Sequence, residues 1–222
     1  MTQNFQSFPA IELNDDRDIK YAVRVEGVTF GYKKNVPVLK NFTVRIKQGK
    51  VNLFKAKIIK FIFDQGGIFA LLGSNGCGKT TLLKLILGRA QPSTGWIRVF
   101  GVKPGSDESD IPGPGVGYMP QDIALSDEFT IRECLKYYGN TYKINKTLID
   151  HRIELLVELL SLPDLDKRLN QLSGGQQRLV SLAVTIIHRP KLLILDEPTV
   201  GVDSILRCRI WSYLEKICKH YG

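Results

Sequence analysis

The residues from Gly73 to Thr80 read GSNGCGKT and fit the pattern G-x-x-x-x-G-K-[ST] of a phosphate-binding loop, or P-loop. Its three glycines let the backbone turn sharply and bring N–H groups close to phosphate oxygens. Lys79 would reach the β- and γ-phosphates, and the Thr80 hydroxyl would bind Mg²⁺. We therefore predict a site for a nucleoside triphosphate.

The elements on either side of the loop support this interpretation. A short apolar run, Ile68–Leu72, precedes it and reads as a buried parallel strand. An apolar helical face follows it, formed by Leu82, Leu83, Leu85, Ile86 and Leu87. Strand, loop and helix N-terminus together place the positive end of a helix dipole against the phosphates.

A second element, which carries two acidic residues, completes the expected chemistry. The apolar strand at Leu192–Leu195 ends in Asp196 and Glu197. An aspartate at the end of such a strand projects at the carboxyl edge of a sheet, where the P-loop also lies. We expect Mg²⁺ between Thr80 and Asp196, and Glu197 next to a water in line with the γ-phosphate.

Charge stabilisation needs a further group, because no arginine finger is evident near these residues. Ser173, Gly174, Gly175 and Gln176 open a helix after Leu172 and form a ready anion site at its N-terminus. A helical lobe, roughly Asp122–Gln171, would separate this site from the P-loop of the same chain. A second molecule would therefore have to supply it.

Alternating, β-branched segments near the start predict antiparallel strands at 22–25, 28–30, 38–39 and 42–46. Tyr32 follows the second of these, and two interpretations stay open: a ring that stacks on a nucleotide base, or a half-buried strand tyrosine. Further strands are predicted at 96–100 and 116–119. A helical pattern runs from Thr130 to Leu162, and a last helix begins near Asp203 and Ser204.

The segment Val51–Gln65, VNLFKAKIIKFIFDQ, shows no clean helical or strand periodicity. A basic membrane-surface helix is one interpretation, and we favour an inserted surface loop. Its bias toward Lys, Ile, Phe and Asn is what AT-rich non-coding DNA gives on translation, so we hypothesise a retained intron. A transcript that normally carries the segment would contradict this hypothesis.

Composition and charge argue against a membrane-spanning protein and against a metal site built from cysteines. The chain has 222 residues, a net charge of +9 and four scattered cysteines without metal-ligand spacing. No apolar run reaches the ~20 residues of a membrane span. The positive charge would suit nucleic acid or anionic lipid, but the basic residues form no long block outside Lys50–Lys60. We favour a solvated surface.

Taken together, the motifs resemble the nucleotide-binding domains of ABC transporters. Tyr32 in VTFGY resembles the adenine-stacking A-loop, GSNGCGKT the Walker A motif and Gln121 in YMPQ the Q-loop. LSGGQ resembles the family signature, LLILDE the Walker B motif and Gly201–Asp203 the D-loop. The segments KPGS…PGPGVGYMPQ and EPTVGVDSILR look most like the G/H-type subfamilies of animals, particularly arthropods.

The resemblance implies an α/β fold: a P-loop NTPase with a RecA-like parallel sheet flanked by helices, an antiparallel β lobe and a helical lobe at about 122–175. It divides the chain into a flexible leader, 1–21, and a nucleotide-binding domain, 22–222, that is incomplete at its C-terminus. ATP and Mg²⁺ are the implied cofactors. The implied nucleotide-binding residues are Tyr32, Gly73, Ser74, Asn75, Gly76, Cys77, Gly78, Lys79, Thr80 and Thr81.

The family also implies roles and partners. Glu197, Gln121 and Lys79 would act in catalysis, and Thr80, Gln121 and Asp196 would hold the metal. Two such domains form a head-to-tail dimer, in which Ser173–Gln176 faces the partner's ATP and Asp203 belongs to the D-loop. A transmembrane part that this chain lacks would follow the motion from the cytoplasmic face, with export and lipid-like cargo as the expectation and nucleic acid disfavoured.

One departure concerns a switch histidine that the family carries on the strand after the last helix. This chain ends at Gly222, about one strand earlier, and neither His188 nor His220 fits the position; we interpret both as surface histidines. The alternatives are the motor domain of a transporter, an ATP-binding fragment that dimerises without turnover, and a soluble ATPase acting on ribosomes or nucleic acid. Turnover by this polypeptide alone stays open.

Overall fold

A computed structural model describes residues 21–33, 36–47, 58–63, 67–72, 76–196 and 198–220. The strands are β1 (Tyr21–Phe30), β2 (Leu39–Lys47), β3 (Ile58–Phe63), β4 (Gly67–Leu72), β5 (Thr94–Val99), β6 (Val116–Met119) and β7 (Leu192–Asp196). The helices are α1 (Lys79–Ile86), α2 (Ile131–Thr141), α3 (Lys146–Leu160), α4 (Gly174–Ile186) and α5 (Ser204–His220), with a short 3-10 helix at Leu169–Gln171.

The first sheet is antiparallel, with the strand order β2-β1-β5. Its inward residues, such as Val23 and Val25, are fully buried, whereas Arg24 between them points outward and lies opposite Arg45 and Arg98. This alternation is what one buried and one solvated sheet face requires. The predicted antiparallel lobe is confirmed, and the two segments at 22–25 and 28–30 form one strand with irregular register.

The second sheet has the order β4-β3-β7-β6. Strands β6 and β7 are parallel, and Met119 pairs with Leu195. Strand β3 is antiparallel to both of its neighbours, since Ile59 lies opposite Leu71 of β4 and opposite Asp196 of β7. Strands β4 and β7 therefore run in the same direction, although an antiparallel strand lies between them.

The surface-loop interpretation of Val51–Gln65 is wrong for Ile58–Phe63, which forms the strand β3 inside the sheet. Lysine interrupts its apolar residues, which removed the alternation expected of a strand. A strand with neighbours on both sides is held by backbone hydrogen bonds along its two edges, and isoleucine and phenylalanine favour this conformation. Residues 51–57, 64 and 65 lie outside the described residues.

Two hydrophobic cores position the site. The first lies between the antiparallel sheet and α1, and it includes Ile194 of β7. The second joins α2, α3, α4 and α5, and Leu195 of β7 belongs to it. Strand β7 is thus buried on both faces, as expected for a central strand. In the described part of the chain, no helix is long and apolar enough to cross a membrane.

The predicted helical stretch from Thr130 to Leu162 is confirmed as two helices, α2 and α3. Thr130 caps α2 through a capping box: its hydroxyl accepts a hydrogen bond from the Glu133 amide, and the Glu133 carboxylate accepts one from the Thr130 amide. Helix α3 ends at Leu160, and its C-cap Ser161 adopts the left-handed conformation two residues before Pro163. The predicted last helix begins at Ser204 and runs to His220.

Candidate nucleotide site and signature helix

The described part of the P-loop begins at Gly76 and leads directly into α1. Gly76 and Gly78 have φ angles of 80° and 96°, which favour glycine. A Cβ on Gly78 would also approach Leu39 of β2 to 3.1 Å. The positive φ thus favours glycine at Gly78, and the Leu39 side chain would have to shift slightly to admit a Cβ. Gly73, Ser74 and Asn75 lie outside the described residues.

The first turn of α1 carries Lys79, Thr80 and Thr81. Thr80 is exposed and Lys79 is half-buried, with its Nζ 3.8 Å from the Sγ of Cys77. No acidic residue lies in this turn, so the N–H groups and the lysine present only positive charge. Such a helix start suits the binding of phosphate.

Tyr32 lies beside the same helix. Its hydroxyl is 3.3 Å from the Oγ1 of Thr81, and Lys84 Nζ lies 5.3 Å from the centre of its ring. The hydrogen bond with Thr81 lowers the pKa of Tyr32 from its ordinary value, and the charge of Lys84 acts in the same direction. The side chain is nevertheless 59% exposed. The interpretation of a half-buried strand tyrosine is therefore wrong, and an aromatic surface adjoins the P-loop helix.

Asp196 and Gln121 follow neighbouring parallel strands at one edge of the second sheet. Asp196 is the last residue of β7 and is half-buried, and Gln121 stands two residues after β6 and is exposed. Burial raises the pKa of Tyr118, and the negative charge of Asp196 raises it further, so the carboxylate acts electrostatically on the end of β6. Glu197, the predicted base, lies outside the described residues.

The donor chemistry of this edge suits Mg²⁺. The hydroxyl of Thr80, the carboxylate of Asp196 and the amide oxygen of Gln121 are all hard oxygen ligands. Among the described residues, no group of three or more His, Cys, Asp or Glu side chains is placed to hold a metal. Proteins usually bind Mg²⁺ through one or two side chains together with the phosphates of a substrate, so oxygen donors of this kind would suit it.

The signature segment forms the start of α4. The Ser173 hydroxyl accepts a hydrogen bond from the Gln176 amide at 3.3 Å, and the Gln176 side chain accepts one from the Ser173 amide at 3.0 Å. Ser173 and Gly174 are exposed. Gly175 instead packs on the D-loop, since a Cβ there would overlap the carbonyl oxygen of Gly201.

Asp203 caps the next helix. Its Oδ1 accepts a hydrogen bond of 2.8 Å from the Leu206 amide, which explains locally why α5 begins at Ser204. Asp203 is exposed. Because Gly201 contacts Gly175, the D-loop and the signature segment lie side by side on one surface of the chain.

Sequence reasoning missed Arg178 of α4, which is only 6% exposed. Its guanidinium donates hydrogen bonds to the backbone carbonyls of Gln121 and Asp196, the latter at 2.9 Å. A signal was present: Arg178 stands four residues before the inward-facing Leu182, so helical periodicity places a charged side chain on the buried face.

The interpretation of His188 as a surface histidine is wrong. Its ring stacks on Tyr142 with centroids 3.8 Å apart, and its Nε2 lies 3.2 Å from the Val116 carbonyl oxygen. The stack fixes the end of α2 against the chain that follows α4, so the ring is a packing element between them. The side chain of His220 lies outside the described residues.

Comparison with known families decides the identity of the fold. A family model described as "ABC transporter" matches residues 56–200, well over half of the chain. The chain belongs to the ABC transporter family.

Named relatives of this ABC protein include ABC transporter G family member 23 of Dictyostelium discoideum, which is 47% identical over 74% of this chain and 23% of its own length. Nod factor export ATP-binding protein I of Rhizobium meliloti is 40% identical over 72% of this chain and 48% of its own length. The chain thus spans from 23% to 48% of the length of these relatives. The G family match agrees with the predicted subfamily type; the arthropod assignment stays a prediction.

Solved structures show the same fold. CbiO1 of Clostridium perfringens, described as part of the ABC transporter complex cbiONQ, aligns with a TM-score of 0.70 at 26% identity, covering 91% of this chain and 76% of its own. A dimeric bacterial ABC transporter cassette aligns with a TM-score of 0.67 at 22% identity over 90% and 87% of the two chains. The predicted combination of a P-loop NTPase core with parallel and antiparallel sheets is confirmed.

Proposed function

We propose that this chain binds MgATP and, as one half of a head-to-tail dimer, hydrolyses it to drive an ABC transporter. The observation that carries the proposal is the hydrogen bond between Tyr32 and Thr81. It holds an exposed aromatic ring beside the first turn of α1, where the P-loop ends. A base that stacks on this ring has its triphosphate directed toward the helix N-terminus.

The residues divide the chemistry as follows. Lys79 and the N–H groups of the P-loop would neutralise the phosphates, and Thr80, Asp196 and Gln121 would hold Mg²⁺. Mg²⁺ supplies the charge stabilisation that phosphoryl transfer needs. Glu197 follows Asp196 directly, and it orients the attacking water and accepts its proton.

Separation of the two anion-binding elements supports the dimer. Helix α1 packs in the first core through Leu82, Leu83 and Ile86, whereas Leu172, next to the signature, belongs to the second. Ser173 and Gly174 are exposed beside the D-loop. An exposed helix start in a different core from the P-loop suits the phosphates of a partner's nucleotide.

The transporter role is supported by the family and by the relatives. One relative carries export in its name and is an ATP-binding protein, and another is a G family transporter of which this chain matches about a quarter. We propose that the chain works on the cytoplasmic face of a membrane, on a transmembrane part that moves as the dimer opens and closes. Export of lipid-like cargo remains the finer proposal.

Titration with a fluorescent ATP analogue tests nucleotide binding. Lys79→Ala should abolish binding. Tyr32→Ala should weaken it roughly 5- to 150-fold, because a base stacked on an aromatic ring contributes about 1–3 kcal/mol. Tyr137→Ala is the matched control, since Tyr137 is 56% exposed but lies on α2.

Two results would contradict the proposal: no binding by the unaltered chain, or equal binding by the two tyrosine variants. Phosphate release measured with the same preparations tests turnover. A rate that disappears in Glu197→Gln supports hydrolysis by this chain, and a rate unchanged by that substitution contradicts the role of Glu197.

A further inference from the structure

Arg178 connects three parts of the proposed site. It lies in the second turn of α4, two residues after Gln176, and it is 6% exposed. One nitrogen of its guanidinium, Nη1, donates to the carbonyl oxygen of Gln121, and the other, Nη2, donates to that of Asp196 at 2.9 Å. A single side chain thus bridges the backbone after β6 and the last residue of β7.

Burial makes these hydrogen bonds consequential. Removing a guanidinium from water is costly unless its donors are satisfied, and hydrogen bonds from a charged donor are about twice as strong as neutral ones. Arg178 therefore stabilises a conformation of the two loops in which both carbonyl oxygens point toward α4. Because the contacts are made to the backbone, they fix the positions from which the side chains of Gln121 and Asp196 project.

The same helix begins with the signature segment. Ser173 and Gln176 close the capping box at the start of α4, and Gly175 packs on Gly201 of the D-loop. A helix moves as a unit over so short a distance, because Ser173 and Arg178 are only about one and a half turns apart. A displacement of the signature segment is therefore transmitted to the Arg178 guanidinium.

We propose that Arg178 is a positioning residue that holds Asp196 and Gln121 in place for the metal of MgATP and couples them to the signature helix. The inference rests on the proposed function and deepens it. It joins the residues that serve the chain's own nucleotide to the segment that serves the nucleotide of a partner.

The test compares three variants of the full chain. Arg178→Met removes the charge and both hydrogen bonds while keeping an unbranched side chain. Arg178→Lys keeps the charge on a single nitrogen and is expected to retain part of the function. Arg152→Met is the matched control, because the Arg152 guanidinium also donates to a backbone carbonyl, that of Ile187, but connects α3 with the end of α4.

Affinity for a fluorescent ATP analogue is measured with Mg²⁺ and again with EDTA. In Arg178→Met the gain in affinity that Mg²⁺ provides should fall by roughly 10- to 100-fold, the usual loss when a residue that orients metal ligands is removed. Affinity in EDTA should stay within about twofold, because Tyr32 and the P-loop are untouched. Arg178→Lys should show a Mg²⁺ gain between those of Arg178→Met and the unaltered chain. Arg152→Met should keep the ratio of affinities with Mg²⁺ and with EDTA that the unaltered chain has.

Amide hydrogen exchange without nucleotide gives a second readout. Peptides covering 116–122 and 192–196 should exchange faster in Arg178→Met than in Arg152→Met. An unaltered Mg²⁺ gain in Arg178→Met, or equal losses with Mg²⁺ and EDTA, would overturn the inference in favour of a merely structural arginine. If Arg178→Met does not fold, Arg178→Lys decides by the same ratio.

The outcome for the unaltered chain separates the two proposals. If it binds the analogue in neither condition, the proposed function fails and the inference about the metal fails with it. If the unaltered chain binds the analogue but the Arg178 variants keep the same Mg²⁺ gain in affinity as Arg152→Met, only the inference fails.

Discussion

Gly174 and Gly175 are neighbours in the first turn of α4, and their surroundings differ sharply. Apart from the adjoining backbone of α4, no atom of the described residues lies within 4 Å of a Cβ built on Gly174, whereas a Cβ on Gly175 would overlap the backbone carbonyl of Gly201. We predict that Gly174→Ala leaves the free energy of unfolding unchanged or raises it slightly. Gly175→Ala should lower it, because backbone of the D-loop has to move.

The magnitude follows from the difference between the two variants. Replacing glycine by alanine in a helix stabilises it by up to about 0.5–1 kcal/mol, and this term is shared by both positions. Adding a carbon to a filled space costs about 1–3 kcal/mol, and only Gly175→Ala carries this term. The variants should therefore differ by about 1–3 kcal/mol, or roughly 2–12 °C in Tm for a domain of this size.

Thermal unfolding of nucleotide-free protein, followed by circular dichroism, measures the difference directly. Omitting nucleotide removes any contribution from binding, so that only the contact between α4 and the D-loop is tested. Gly101→Ala is a useful third variant: beyond the adjacent residues, no described atom lies within 4 Å of a Cβ there, but the φ of 83° makes alanine strained for a backbone reason alone. Equal Tm values for Gly174→Ala and Gly175→Ala would refute the reasoning.

Two further predictions concern pH and assembly. Burial lowers the pKa of His188 below its ordinary 6.5, so the folded state favours the neutral ring; its contribution to stability is complete above pH 6.5 and is lost as the pH falls below it. Urea unfolding at pH 7.5 and 5.5 measures this. The free energy of unfolding should fall less between the two pH values in His188→Phe, which keeps the stack on Tyr142, than in the unaltered protein, and an equal fall contradicts the prediction. Ser173→Asp retains a capping oxygen but adds negative charge, so light scattering should show weaker ATP-dependent dimerisation than in Ser212→Asp on α5; equal dimerisation contradicts the proposed contact.

Local patterns predicted most elements because each carries its own signal. Ser173 and Gln176, and likewise Thr130 and Glu133, are spaced as capping boxes, and both pairs form them in the structure. Asp203 stands where a helix start was expected and accepts a hydrogen bond from the Leu206 amide. Signals of this kind span three residues, so a single sequence suffices to find them.

Contacts between distant segments were not predictable in the same way. Arg178 and Asp196 are 18 residues apart, and Arg178 and Gln121 are 57 apart, so no short-range spacing relates them. His188 was misjudged for the same reason, because its burial depends on Tyr142 of a different lobe. Such pairs follow from how α4 packs on β6, which is a property of the assembled sheet and helices.

The strand at Ile58–Phe63 is compatible with the predicted site for a reason that lies in strand direction. A P-loop and an acidic strand end meet only if their strands share a direction, so that both carboxyl ends reach one edge of the sheet. Strand β3 is antiparallel to β4 and to β7, and two antiparallel pairings in succession restore the original direction. The strand that leads to the P-loop and the strand that ends in Asp196 therefore point to the same edge, with β3 between them. Two strand spacings separate β4 from β7 by roughly 10 Å. Elements outside the sheet therefore have to close the site, and Arg178 of α4 reaches the Asp196 backbone from such an element.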